Sequence, residues 1–127
     1  MKKILAEISA GELIDKITIL EIKKENIPDK GKLSNIEKEL SALKLTMNQN
    51  IEMSEELTKL KSELKNINST LWDIENKKRK CESEKKFDSD FIDLSRQVYK
   101  SNDMRAKIKF KINEILKSNI REVKSHF

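Results

Sequence analysis

Between residues 57 and 81 the chain steps by three and four through Leu57, Leu60, Leu64, Ile67, Leu71, Ile74, Lys78 and Cys81. Steps of that size hold one stripe on one face of an α-helix, and three and a half repeats make a coiled-coil-like seam. A strand of this length would alternate by two, so the pattern requires a long helix. The spacing returns in Phe91, Leu94, Val98, Ser101, Arg105, Ile108, Ile112 and Ile115, after Asp88 or Ser89 restarts the chain. Two such seams with a short connection predict an antiparallel hairpin about 45 Å long at 1.5 Å per residue.

The first half of the chain reads as two shorter helices. Ser9 and Glu12 have the spacing of a capping box ahead of an apolar run, which starts a helix near Ala10 and ends it near Glu25. Leu13, Ile14, Ile17 and Leu20 define one face, while Ile19 and Ile22 point elsewhere. A helix apolar nearly all round must be sandwiched between partners or lie in a subunit interface. The only strong linker is Asn26–Gly31, which contains the single proline. Ser34 and Glu37 form a second capping box, and Ile36, Leu40, Leu43 and Met47 follow as one stripe. The expected helices are 10–25, 33–48, 54–86 and 89–117, with a tail over 118–127, all in one helical domain spanning 1–127. With two glycines and one proline there are too few turn-formers for a barrel or sandwich of short strands. The fold class is all-α, an antiparallel bundle built on the hairpin of the third and fourth helices. A bundle this thin buries little, so a homodimer is the expected state.

Charge is plentiful and uneven. Charged residues are 39 % of the chain, against roughly 25 % in an ordinary globular domain. The net charge of +5 falls wholly after residue 53, most densely at Lys77–Lys80 and from Arg105 to Lys124. Such a half suits an anionic partner, or is simply a solvated lysine face, which is the preferred reading. The apolar run Ile4–Ala6 is too short for a signal peptide or a membrane span, and a lone Cys81 calls for no oxidising compartment. The cytoplasm is the expected location.

Two polar stripes accompany the seams. Asn68, Trp72, Glu75, Arg79 and Glu82 share a wedge of the third helix, and Ser95, Tyr99, Asn102, Ala106, Lys109 and Asn113 share one on the fourth. Arginine is scarce, four against 23 lysines, yet Arg105 sits on an apolar seam. That placement favours a bidentate partner for its planar fork. An internal carboxylate, Glu75 or Glu82 across the hairpin, is the preferred partner, and an external carboxylate or phosphate is the alternative. Candidate ligand-binding residues are therefore Trp72, Glu75, Arg79, Tyr99, Asn102, Arg105, Lys109 and Asn113, with Glu75 the one weak candidate for acid–base chemistry. Trp72 and Tyr99 otherwise read as packing residues, Tyr99 with its hydroxyl hydrogen-bonded. Lys78 marks a solvent-reaching end of the seam or a register device. Cys81 lacks a nearby histidine, and His126 lacks any metal-ligating partner, so no metal or cofactor is expected. No phosphate-binding glycine loop, nucleophile elbow or HExxH is present.

Three blocks carry a resemblance. They are the run Ile8–Lys23 with its Ser9, Gly11-Glu12-Leu13-Ile14-Asp15-Lys16 core; Leu71-Trp72-Asp73-Ile74-Glu75 with Arg79 and Glu82; and Val98-Tyr99 with Asn102-Asp103, Arg105-Ala106, Ile108-Lys109 and Ile112-Asn113. In this order they resemble a domain-of-unknown-function family of short helical bacterial and phage proteins. Asn76 and Lys78 depart from the family's pattern, where an acidic and an apolar residue are expected. The resemblance implies no assigned activity, and it implies genes lying near those for glycosyltransferases and surface polysaccharide.

The leading expectation is a non-catalytic helical interaction or oligomerisation module, accessory to surface-polysaccharide biosynthesis if the resemblance carries that far. The first alternative is a small helical enzyme or sensor binding an anionic metabolite between the third and fourth helices. The second is a nucleic-acid binder through the basic half, which the interleaved acidic residues and few aromatics disfavour.

Overall fold

A computed structural model describes residues 1–124, and among these every regular element is a helix. The helices are α1 (Ala10–Asn26), α2 (Lys30–Asn50), α3 (Glu55–Ser83) and α4 (Ser89–Leu116). His126 and the end of the expected tail lie outside the described residues.

Side-chain caps decide where the helices start. Ser9 accepts the Glu12 N–H, Asp29 the Lys32 N–H, Ser54 the Leu57 N–H and Asp88 the Asp90 N–H. The second helix thus begins at Lys30, before the capping box at Ser34, because Asp29 satisfies its first turn. The C-terminal ends differ from the spacing-based expectation, falling at Asn26, Asn50, Ser83 and Leu116. The third helix stops at Ser83 because Lys85 turns into the left-handed region at φ 55°, with the Lys86 N–H returning to the Cys81 carbonyl. Lys117 at φ 50° closes α4 in the same way, with the Ser118 N–H on the Asn113 carbonyl.

The first helix is the centre of the molecule. It packs against α2, α3 and α4, while α2 approaches neither α3 nor α4 closely. Leu13, Ile14, Ile17 and Leu20 meet Ile36 and Leu40 of α2, Leu57, Leu60 and Leu64 of α3, and Ile108 and Ile112 of α4 in one core. The apolar girth of α1 is therefore covered within one chain and does not itself require a subunit interface.

The α3–α4 hairpin forms as the spacing predicts and reaches beyond that core. No member of the core cluster lies between Asn68 and Lys107. The distal halves of α3 and α4 make a two-helix arm in which Ile74 is buried, whereas Leu71, Phe91, Leu94 and Val98 are only half-buried. Lys78 reaches over the Phe91 ring, 5.4 Å from its centre, and Phe87 meets Phe91 edge-on at the tip. No helix among the described residues is long and apolar enough to cross a membrane.

Candidate functional site

The candidate residues divide into two groups. Trp72, Glu75, Arg79 and Tyr99 stay on the arm. Glu75 pairs with Arg79 one turn along the same exposed helix face, 3.0 Å apart, so it is not the partner of Arg105. Tyr99 is 52 % exposed on α4 and is not packed as its residue type suggested. Trp72 is half-buried.

Asn102, Arg105, Lys109 and Asn113 come together where α4 crosses the start of α1. Arg105, Lys109 and Asn113 find partners on α1, and Lys109 one more in the segment after α4, not across the hairpin. Arg105 holds both carboxylate oxygens of Asp15, with Nε 2.9 Å from Oδ1 and Nη2 on Oδ2. Asp15 is fully buried, and Asn68 of α3 donates to its Oδ1 at 2.9 Å and to the Thr18 hydroxyl at 2.9 Å. A buried carboxylate needs this kind of enclosure, since each lone pair left without a donor costs roughly 1–3 kcal/mol. Bonding to Asp15 raises the pKa of Arg105 further, although burial opposes it. Asn102 adds a long contact, its Oδ1 3.5 Å from Nη1 of Arg105.

One turn along α4, Lys109 is 12 % exposed and sits among three carboxylates. Its Nζ lies 2.6 Å from Glu12, 2.7 Å from Glu122 and 3.9 Å from Asp15. Burial lowers its pKa, but the bonds to Glu12 and Glu122 outweigh that and the net shift is upward. The amine is held as an ammonium ion, a poor nucleophile and a poor general base. Glu122 is in the non-helical segment after α4 and accepts from the Ser9 hydroxyl at 2.7 Å. Burial pushes its carboxyl up, while Lys109 and Ser9 pull it down by more.

The end of α4 also finishes the first turn of α1. The Gly11 N–H donates to Asn113 Oδ1 at 2.7 Å, and the Ala10 N–H to the Ser118 hydroxyl at 3.1 Å. Gly11 is required by this close approach, because a Cβ there would fall 2.7 Å from the Lys109 carbonyl oxygen. Beside the cluster, an open cleft of about 570 Å³ runs between α4 and residues 122–124, bordered by Asn102, Arg105, Lys109, Phe110 and Asn113 among others. Among the described residues, no group of three His, Cys, Asp or Glu side chains is placed to hold a metal ion.

Sequence reasoning missed Asp15, Thr18 and Glu122 as site residues, and saw Ser9 and Glu12 only as a capping box. A signal for Asp15 exists, since it is a carboxylate among Leu13, Ile14, Ile17 and Thr18 on a helix with almost no polar face. Such a group must find a cation. Glu122 lies outside any periodic pattern and gives no comparable signal.

This is an all-helical protein with a buried ion-pair cluster binding its first helix to its last. A family model described as a family of unknown function (DUF6165) matches residues 3–126, and the chain belongs to that family. No curated protein and no solved structure matches the chain.

Proposed function

We propose that this chain is a non-catalytic helical interaction module that pairs with a second copy through the α3–α4 arm. The observation carrying this reading is the half-buried seam of the arm, where the same 3–4 spacing that buries Leu57, Leu60 and Leu64 in the body leaves Leu71, Leu94 and Val98 partly open. A two-helix hairpin with an unfinished seam is half of a four-helix bundle, and an identical hairpin has the matching length and spacing. A specific pairing of two such arms needs on the order of 1,200 Å² buried, the lower end of specific interfaces. The cations of the body support the same reading, because Arg105 and Lys109 are engaged by carboxylates of their own chain. The family resemblance makes an enzyme of surface-glycan synthesis the first further partner to test.

Sedimentation across a concentration series tests the pairing. The expected result is a dimer that dissociates on dilution and is weakened by Leu94→Glu. A monomer at every concentration overturns it.

One observation favours the alternative of an anionic metabolite site. Asn102, Arg105, Lys109 and Asn113 all border a single cleft. That cleft lies between α4 and the C-terminal segment, not between α3 and α4, and Glu75 does not border it.

A further inference from the structure

The carboxylates around Lys109 outnumber what pairing requires. Arg105 is matched by Asp15 and Lys109 by Glu12, so Glu122 is an additional anion brought in by the C-terminal segment. It sits on two donors, the Ser9 hydroxyl and the Lys109 ammonium. The Ser9 side chain is buried, accepts from the Glu12 N–H and directs its own hydroxyl hydrogen to Glu122. Lys109 directs one of its three N–H bonds to the same carboxylate. With Glu122 gone from this seat, the buried Ser9 hydroxyl would lose its acceptor and Lys109 one of its two close carboxylates, at the edge of an open cleft.

The carboxylate that fills the seat is loosely tethered. Glu122 is 46 % exposed and belongs to a stretch with no regular structure. Its other ties to the rest of the chain are the exposed pairs Arg121–Glu114, Lys124–Asp103 and Asn119–Glu7, and the Ser118 hydroxyl on Ala10. Such exposed pairs contribute little. The cleft opens directly beside the seat, walled by Ala106 and by the 54 %-exposed ring of Phe110, with the amides of Asn102 and Asn113 at its border.

We propose that Lys109 Nζ and Ser9 Oγ form a carboxylate-binding site that Glu122 occupies in cis, and that a small organic carboxylate with an apolar body takes this seat by displacing Glu122. The ligand carboxylate meets Lys109 and Ser9, and its body lies against Phe110 and Ala106. This names a ligand class for the cleft reading and is independent of arm pairing, since no arm residue takes part.

Benzoate is the probe, added to the full chain and followed by amide chemical shifts of Ser9, Gly11 and Phe110. A tethered group competes at an effective concentration near the millimolar range, so Glu122→Ala is expected to bind benzoate at least about 10-fold more tightly than wild type. Ser9→Ala in that background is expected to lose the gain, and Phe110→Ala to weaken benzoate more than acetate. Equal binding by wild type and Glu122→Ala overturns the proposal. So does a Glu122→Ala chain that melts early and is not restored by benzoate, which would make Glu122 purely structural. Phosphate binding in place of benzoate overturns the ligand class. The dimer is read separately by sedimentation of the same variants, which leave the arm intact.

Discussion

Arg105 of α4 grips both oxygens of Asp15 of α1 across 90 residues of sequence, with Nε 2.9 Å from Oδ1. The pair fixes the rotation and register of α4 on α1, and Asn68 brings α3 into the same arrangement. A bidentate pair at a helix crossing acts as a registration device, because sliding α4 by one turn would break the two-point bond to a fully buried carboxylate.

Removing the cation should therefore be costly. Arg105→Ala is expected to lose about 3–5 kcal/mol of unfolding free energy, the usual consequence of stranding a buried charge. Arg79→Ala, which breaks only an exposed pair, should stay within about 0.5 kcal/mol. Denaturant midpoints for the two variants check this, and equal losses would contradict it.

Gly11→Ala inserts a methyl group 2.7 Å from the Lys109 carbonyl oxygen and 3.0 Å from Asn113 Oδ1. The backbones of α1 and α4 must separate to admit it, at a cost of about 1–3 kcal/mol. A thermal melt should show a lower midpoint, although alanine is the better helix former. A raised midpoint would mean that α1 and α4 are not in such close contact.

Lys85 and Lys117 both end helices in the left-handed region, which side chains adopt reluctantly. Glycine at either position should stabilise the fold by about 0.5–1 kcal/mol, measured by denaturation. A loss at Lys117→Gly would show that its side chain contributes more than its conformation costs.

The shifted groups set two pH limits. The pKa of Glu122 is lowered from 4.5 in the folded chain, so its contribution is present above 4.5 and is lost as the pH falls through the lower folded value. The pKa of Lys109 is raised from 10.5, so its contribution is complete below 10.5 and is lost as the pH rises through the higher folded value. Unfolding free energy against pH should fall off at both ends. Glu122→Ala should flatten the acid limb, and an unchanged acid limb would assign that loss to other carboxylates.

Trp72 is the only tryptophan and is half-buried on the arm. If two arms pair, its emission should shift to the blue as concentration rises. Constant emission alongside a confirmed dimer would place the interface elsewhere.

Much of this architecture is legible in the sequence because helices have a period. The steps from Leu57 to Cys81 reveal α3, and Ser9 with Glu12 locates the start of α1. Arg105 on a seam signals an internal pair, yet its partner is hidden by sequence distance. Glu75 lies at the right spacing on a neighbouring helix, whereas Asp15 becomes available only once α1 is known to lie in the middle. Asn102, Lys109 and Asn113 are found by sharing one face of α4, while Trp72, Glu75 and Arg79 share a face of α3 that the body never covers. Lys85 and Lys117 illustrate another limit, since nothing about lysine marks a left-handed residue.

The first turn of α1 takes its hydrogen-bond acceptors from Asn113 and Ser118, and its buried carboxylate takes its cation from Arg105. On the ribosome those acceptors are made about a hundred residues later, roughly 5–20 s at ordinary elongation rates. Throughout that interval the apolar surface of α1 has only α2 and the start of α3 to rest on, with Asp15 still hydrated. The nascent chain therefore carries an unfinished core, without Ile108 and Ile112, until synthesis passes α4.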